Sequence, residues 1–230
     1  MTSNNTVVDR MNRLVHQWEA QQDRRAIFLN CYALMTQNMW LALVEGRFRD
    51  PDWVTILLNR FADYYFNGLE AYERRDPATP AVWLLAYEAT TRPQPRALQH
   101  LLLGVNAHIN YDLTLTLVEL LGPTWTTLTD EQRQQYQHDF DLVNVIIKGT
   151  INQVQDEVLE RHDWLMAWVD LLGGPLDEWF TGWLITGWRD EVWREAMNMM
   201  ACADAAAQEQ CRLNLETTSL ERGRWILWSS

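Results

Sequence analysis

Lysine is all but missing from this chain. Lys148 is the only one in 230 residues, so nearly all of the positive charge is arginine. It falls on the polar side of an amphipathic helix, where nothing desolvates the amine, and this argues against Schiff-base chemistry. Positive charge is scarce altogether: 19 basic residues face 31 acidic ones, for a net charge of -12. That field repels phosphate backbones, and no basic stripe interleaved with aromatics offsets it, so no nucleic-acid partner is expected. It also opposes docking on an anionic membrane. Cysteine is sparse too. Cys31, Cys202 and Cys211 form no CxxC and no metal-ligand spacing, and they read as reduced thiols of a cytoplasmic protein. The opening MTSNNTVVDRMNR lacks a signal-peptide layout, and no uncharged apolar run reaches the ~18–20 residues of a membrane span.

Familiar catalytic machines are also lacking. There is no HExxH, P-loop, GxSxG or GxGxxG, and none of the Glu-x-x-His pairs of a ferritin-like di-iron site.

What the chain does contain is helix. Hydrophobic residues make up 47%, enough for a sizeable core. Their spacing is helical throughout, with no sustained strand alternation. Asp50-Pro51-Asp52 and Thr79-Pro80 are cap-then-proline helix starts, and Thr129–Gln132 opens a long helix reaching about Arg161. Gly173-Gly174-Pro175 is the strongest break in the C-terminal half. Beyond it, 176–187 and 188–213 read as helical, and the last fifteen residues have no clear pattern. The expected fold is all-α: a single multi-helix bundle of seven to nine helices over 1–230. A subdivision at 173–175 would separate a core bundle (1–172) from Trp-rich C-terminal helices (176–230).

The centre of that bundle is Leu98–Leu121. Leu101, Leu102, Leu103, Val105, Ile109, Leu113, Leu117 and Leu121 cover the whole circumference of this helix, as expected of a buried one. Yet it also carries His100, Asn106, His108, Asn110 and Asp112. His108 and Asp112 are four apart and share a face. Burying a carboxylate costs several kcal/mol, by rough estimate, unless it is paired, hydrogen-bonded or metal-bound. On the long helix after residue 130, Asp139 projects into the apolar sector of Tyr136, Phe140, Val143 and Ile147. If the two helices pack, His108, Asp112 and Asp139 converge. One imidazole and two carboxylates could hold a divalent metal ion or act as an oriented base. Asn110, His100, Tyr65 and Glu70 are candidate substrate-binding neighbours. The plainer alternative is a buried hydrogen-bond network with His108 donating to Asp112.

The segment HLLLGVNAHINYDL, His100–Leu113, closely resembles the signature of an uncharacterised bacterial family. Tyr64-Tyr65-Phe66 and Pro80-Ala81-Val82-Trp83 match two further features of that family, and the likeness extends over about residues 25–160. The resemblance implies a soluble helical protein and brings no established activity.

Two functional classes follow from these residues. One is a small-molecule enzyme, a metal-dependent or acid–base hydrolase in which His108 or its metal activates water. The other is a non-catalytic helical bundle that holds an apolar or aromatic ligand. Tryptophan, 13 residues with eight after position 160, supplies aromatic walls for either. Trp179, Trp183, Trp188 and Trp193 fit no single stripe, so they are expected to form a homodimer contact or a wall of the ligand cleft.

Overall fold

A computed structural model describes residues 4–93, 95–154 and 178–228, and the side chains among them except at 4–6, 151–154 and 178–185. The described residues contain no strand. They form α1 (Asn4–Ala20), α2 (Arg25–Val44), α3 (Pro51–Glu73), α4 (Ala81–Thr90), a central helix over residues 97–121, α7 (Asp130–Val154), α8 (Glu178–Met200) and α9 (Ala205–Trp228). The central helix has three parts: α5 (Ala97–Val105), a π-helical segment (Asn106–Leu113) and α6 (Thr114–Leu121). The all-α expectation is met.

The chain forms two compact units, each assembled from two stretches: residues 1–55 with 130–187, and 56–129 with 188–230. The organisation is therefore not the linear one anticipated, and the Gly173–Pro175 break lies outside the described residues.

In the first unit α1 packs on α2, and α2 on α7. Met11, Val15 and Trp18 supply the buried face of α1, and the Arg25 guanidinium lies 4.4 Å above the Trp18 ring. Among the described residues, α2 is the one helix long and apolar enough to cross a membrane; half of its most apolar stretch is buried within the protein. Asp50 caps α3 as its sequence suggests, Oδ1 accepting from the Trp53 N–H at 3.0 Å.

In the second unit the central helix meets α4 and α9. The C-terminal boundaries differ from the sequence reading. The helix expected over 188–213 breaks at residues 201–204 and restarts, because the Asp204 carboxylate caps the Ala207 N–H at 2.8 Å. The last fifteen residues then continue α9 to Trp228. Two glycines permit close approach. A Cβ on Gly68 of α3 would sit 3.1 Å from the Trp83 indole, and one on Gly223 of α9 would sit 2.8 Å from Leu85.

Candidate functional site

The polar residues of the central helix are where the sequence placed them, and they are buried. Asn106, His108, Asn110 and Asp112 fall in its π-helical segment, Asn106–Leu113, and His100 lies in α5 before it. Such i→i+5 winding is rare and is found mostly as short bulges, frequently at functional sites. Side chains tend the local carbonyls here: Thr114 Oγ1 donates to the Asn110 carbonyl at 2.9 Å and Thr116 Oγ1 to that of Asp112 at 2.7 Å. Back-bonding of this kind bends a helix and competes with its ladder.

On one side of the segment, His108 Nδ1 lies 3.0 Å from Asp112 Oδ2. The same oxygen accepts the Trp83 indole N–H at 2.9 Å. Phe61 stacks flat on the imidazole, with centroids 3.6 Å apart and planes 7° from parallel. Tyr65, one turn further along α3, meets the imidazole edge-on at 6.0 Å. His108 and Asp112 are 2% and 1% exposed. Desolvation pushes His108 well below the ordinary imidazole range. It pushes Asp112 well above the ordinary carboxyl range, against the opposing pull of the Trp83 hydrogen bond. Both shifts favour the uncharged forms of this pair, which is walled by aromatics.

The shifts have opposite consequences for stability. Asp112, with its raised pKa, stabilises fully below ~3.9, and this contribution is lost as pH rises through the raised value. His108, with its lowered pKa, stabilises fully above ~6.5, and this is lost as pH falls through the lowered value. Asp112→Asn keeps an acceptor oxygen for Trp83 and removes the ionisation. Relative to this variant, the wild type should lose up to about 1.4 kcal/mol per pH unit as pH rises from ~3.9 towards the raised value, measured by urea unfolding at intervals from pH ~4 to ~9. Parallel profiles for the two proteins would contradict the assignment.

Asp139 has a different position. In the first unit its carboxylate accepts the Arg49 N–H at 3.0 Å and the Asp50 N–H at 2.7 Å. Both oxygens thus hold the backbone that leads into α3. Among the described residues, no group of three or more His, Cys, Asp or Glu is arranged to hold a metal ion. The expected metal trio of His108, Asp112 and Asp139 is not found there, because Asp139 is committed to capping. The other expected neighbours have these surroundings. Glu70 is exposed and lies 3.7 Å from Arg74, while His100 is buried in α5. Tyr65 does join His108.

Asn110 faces elsewhere. With Thr114 it lines a cleft of about 140 Å³ in the second unit, completed by Glu191, Val192 and Glu195 of α8 and by residues of α9 from Cys211 to Arg222. A relay of amides sets the polarity of its floor. The Ser219 carbonyl can only accept, so Asn106 presents Nδ2 to it, at 2.8 Å. Asn106 Oδ1 is then left to accept Asn110 Nδ2, at 3.0 Å. Asn110 therefore keeps its own Oδ1 out of the relay. That oxygen is buried, and among the described residues it has no hydrogen-bond partner. On the wall, Glu191 is paired with Arg222 at 2.9 Å, and the Arg222 guanidinium lies 5.4 Å over the Trp188 ring. Glu195 is exposed at the rim.

Of the tryptophans expected at an interface or cleft wall, Trp193 is buried against Trp125, and Trp188 lies beneath the guanidinium of Arg222, a cleft residue. The side chains of Trp179 and Trp183 lie outside the described residues.

Sequence reasoning missed Phe61 and Trp83 as partners of the pair, and missed α9 as a cleft wall. The Pro80–Trp83 match carried a signal for Trp83. Nothing comparable marked α9, whose cleft residues, from Cys211 onward, stand more than 100 positions from Asn110.

This architecture defines a helical protein with a polar buried segment at its centre. The model of a family of unknown function, DUF5995, matches residues 5–229, and the chain belongs to that family. The match takes in the Trp-rich C-terminal part as well. No curated protein and no solved structure matches the chain.

Proposed function

We propose that the second unit is a binding module for a small cation bearing N–H donors, an alkylammonium or guanidinium compound, held in the cleft over Asn110. The observation that carries this reading is the buried Asn110 Oδ1, an acceptor without a protein donor among the described residues. Leaving such an atom unsatisfied costs about 1–3 kcal/mol, and an N–H donor from a ligand recovers it. Glu195 adds negative charge at the rim, while the Glu191–Arg222 pair is internally neutral. For scale, a cavity of about 150 Å³ admits benzene, so the cleft suits a ligand of similar size. The Asn110 oxygen and the Glu195 carboxylate favour this class over the apolar or aromatic ligand that tryptophan content suggests. The hydrolase reading of His108 and Asp112 gains less support, since burial disfavours charge on both groups and Phe61, Tyr65 and Trp83 enclose them.

Calorimetric titration with methylguanidinium, ethylammonium and acetate tests the assignment. One equivalent of a cation should bind, and acetate should not. Asn110→Leu should weaken binding about tenfold or more, matching a charge-assisted hydrogen bond of about 1.5–3 kcal/mol, and Glu195→Gln should weaken it too. Preference for acetate, or equal cation affinity in Asn110→Leu, would overturn the reading.

A further inference from the structure

We propose that Cys202 and Cys211 are a modification site: a dithiol that closes reversibly to a disulfide by exchange with a small-molecule disulfide of the glutathione type. The sequence separates these thiols by nine residues and no motif, but the fold brings them together. Cys202 lies in the turn after α8, and Cys211 lies in the second turn of α9. Their sulfurs are 3.0 Å apart and share a hydrogen bond. Both residues are only partly buried, so an oxidant of modest size can reach them. A disulfide needs an S–S distance of about 2.05 Å, roughly one ångström of further approach. The segment between them is a turn followed by the start of one helix, so that approach need not disturb distant packing.

The exchange balances without any other reactant. One cysteine thiolate attacks a sulfur of the oxidant, forming a mixed disulfide and expelling one small thiolate. The second cysteine thiolate attacks the protein sulfur of that mixed disulfide, forming the Cys202–Cys211 bond and expelling the second small thiolate. The two protons from the cysteines end on the two small thiols. The protein is oxidised by two electrons and the small disulfide is reduced by two. The hydrogen bond to Cys211 raises the Cys202 thiol, so exchange quickens as pH rises and more thiolate forms.

The bond would alter more than the turn. Cys211 lines the cleft together with Asn214 and Thr218 from the next turns of α9. Oxidation therefore fixes the start of the helix that supplies this wall. The disulfide itself does not depend on the cleft's being a binding site.

Cys31 serves as an internal control. Desolvation pushes its thiol up to about 11, and it has no place in the pair. In the test, the full chain is equilibrated across ratios of oxidised to reduced glutathione, acid-quenched, unfolded and alkylated with N-ethylmaleimide. The tryptic peptide between Arg194 and Arg212 contains both Cys202 and Cys211. At oxidising ratios it should lose both alkyl groups and be lighter than its dithiol form by two hydrogen atoms, while Cys31 stays alkylated. Reduced glutathione should reverse the change. Cys202→Ser should instead trap glutathione on Cys211. Stable glutathione adducts on the wild-type peptide without internal closure would overturn the proposal. So would full alkylation of the peptide at every ratio.

Discussion

Trp83→Ala is expected to destabilise the protein by about 3–5 kcal/mol, as for large-to-small changes of buried aromatics. Trp83 is among the largest fully buried side chains, and two losses combine at this position. The indole leaves a hole against Gly68, Tyr65 and Tyr87, and Asp112 Oδ2 loses its N–H donor. Trp83→Phe separates them, because it keeps most of the ring and removes only the donor. It should cost about 1–3 kcal/mol. A double-mutant cycle with Asp112→Asn, read by chemical denaturation, measures how strongly indole and carboxyl are coupled. Additive costs would mean that the 2.9 Å contact contributes nothing specific.

The second large effect belongs to Asp139. Its carboxylate is fully buried and holds two backbone N–H groups ahead of α3. Hydrogen bonds to a charged group contribute about 1.5–3 kcal/mol each. Asp139→Ala should therefore cost about 3–5 kcal/mol, with Asp139→Asn intermediate, because one of its two oxygens becomes a donor that clashes with an N–H. Thermal unfolding of both variants checks this order. Asp139→Ala at or near wild-type stability would show that the segment at Arg49–Asp50 is held by other means. If that variant instead lost only binding of a divalent ion, the metal reading would return.

Asp139 also marks where the sequence was legible and where it was not. Its inward phase on an amphipathic helix foretold its burial, since periodicity reports which way a side chain points. It did not foretell the partner, because backbone N–H groups leave no mark in a residue string. His108 and Asp112 were paired correctly from a spacing of four, a local relation that helix geometry dictates. Trp83 and Phe61 come from other helices, so their arrival depends on packing. The Asn110 relay runs through the Ser219 carbonyl, again a backbone group, on a helix whose terminal part showed no clear pattern. Local order could be read; the identity of long-range partners could not.

The π-helical segment carries one last consequence, which concerns angle. An α-helix advances each residue by a fixed rotation, so a single apolar stripe keeps its bearing. Eight residues of wider winding reset that bearing. Ala97–Val105 and Thr114–Leu121 therefore run in two rotational frames, and a helix that seems apolar all round can be two one-sided helices set at different azimuths. The segment behaves as a fixed offset between them.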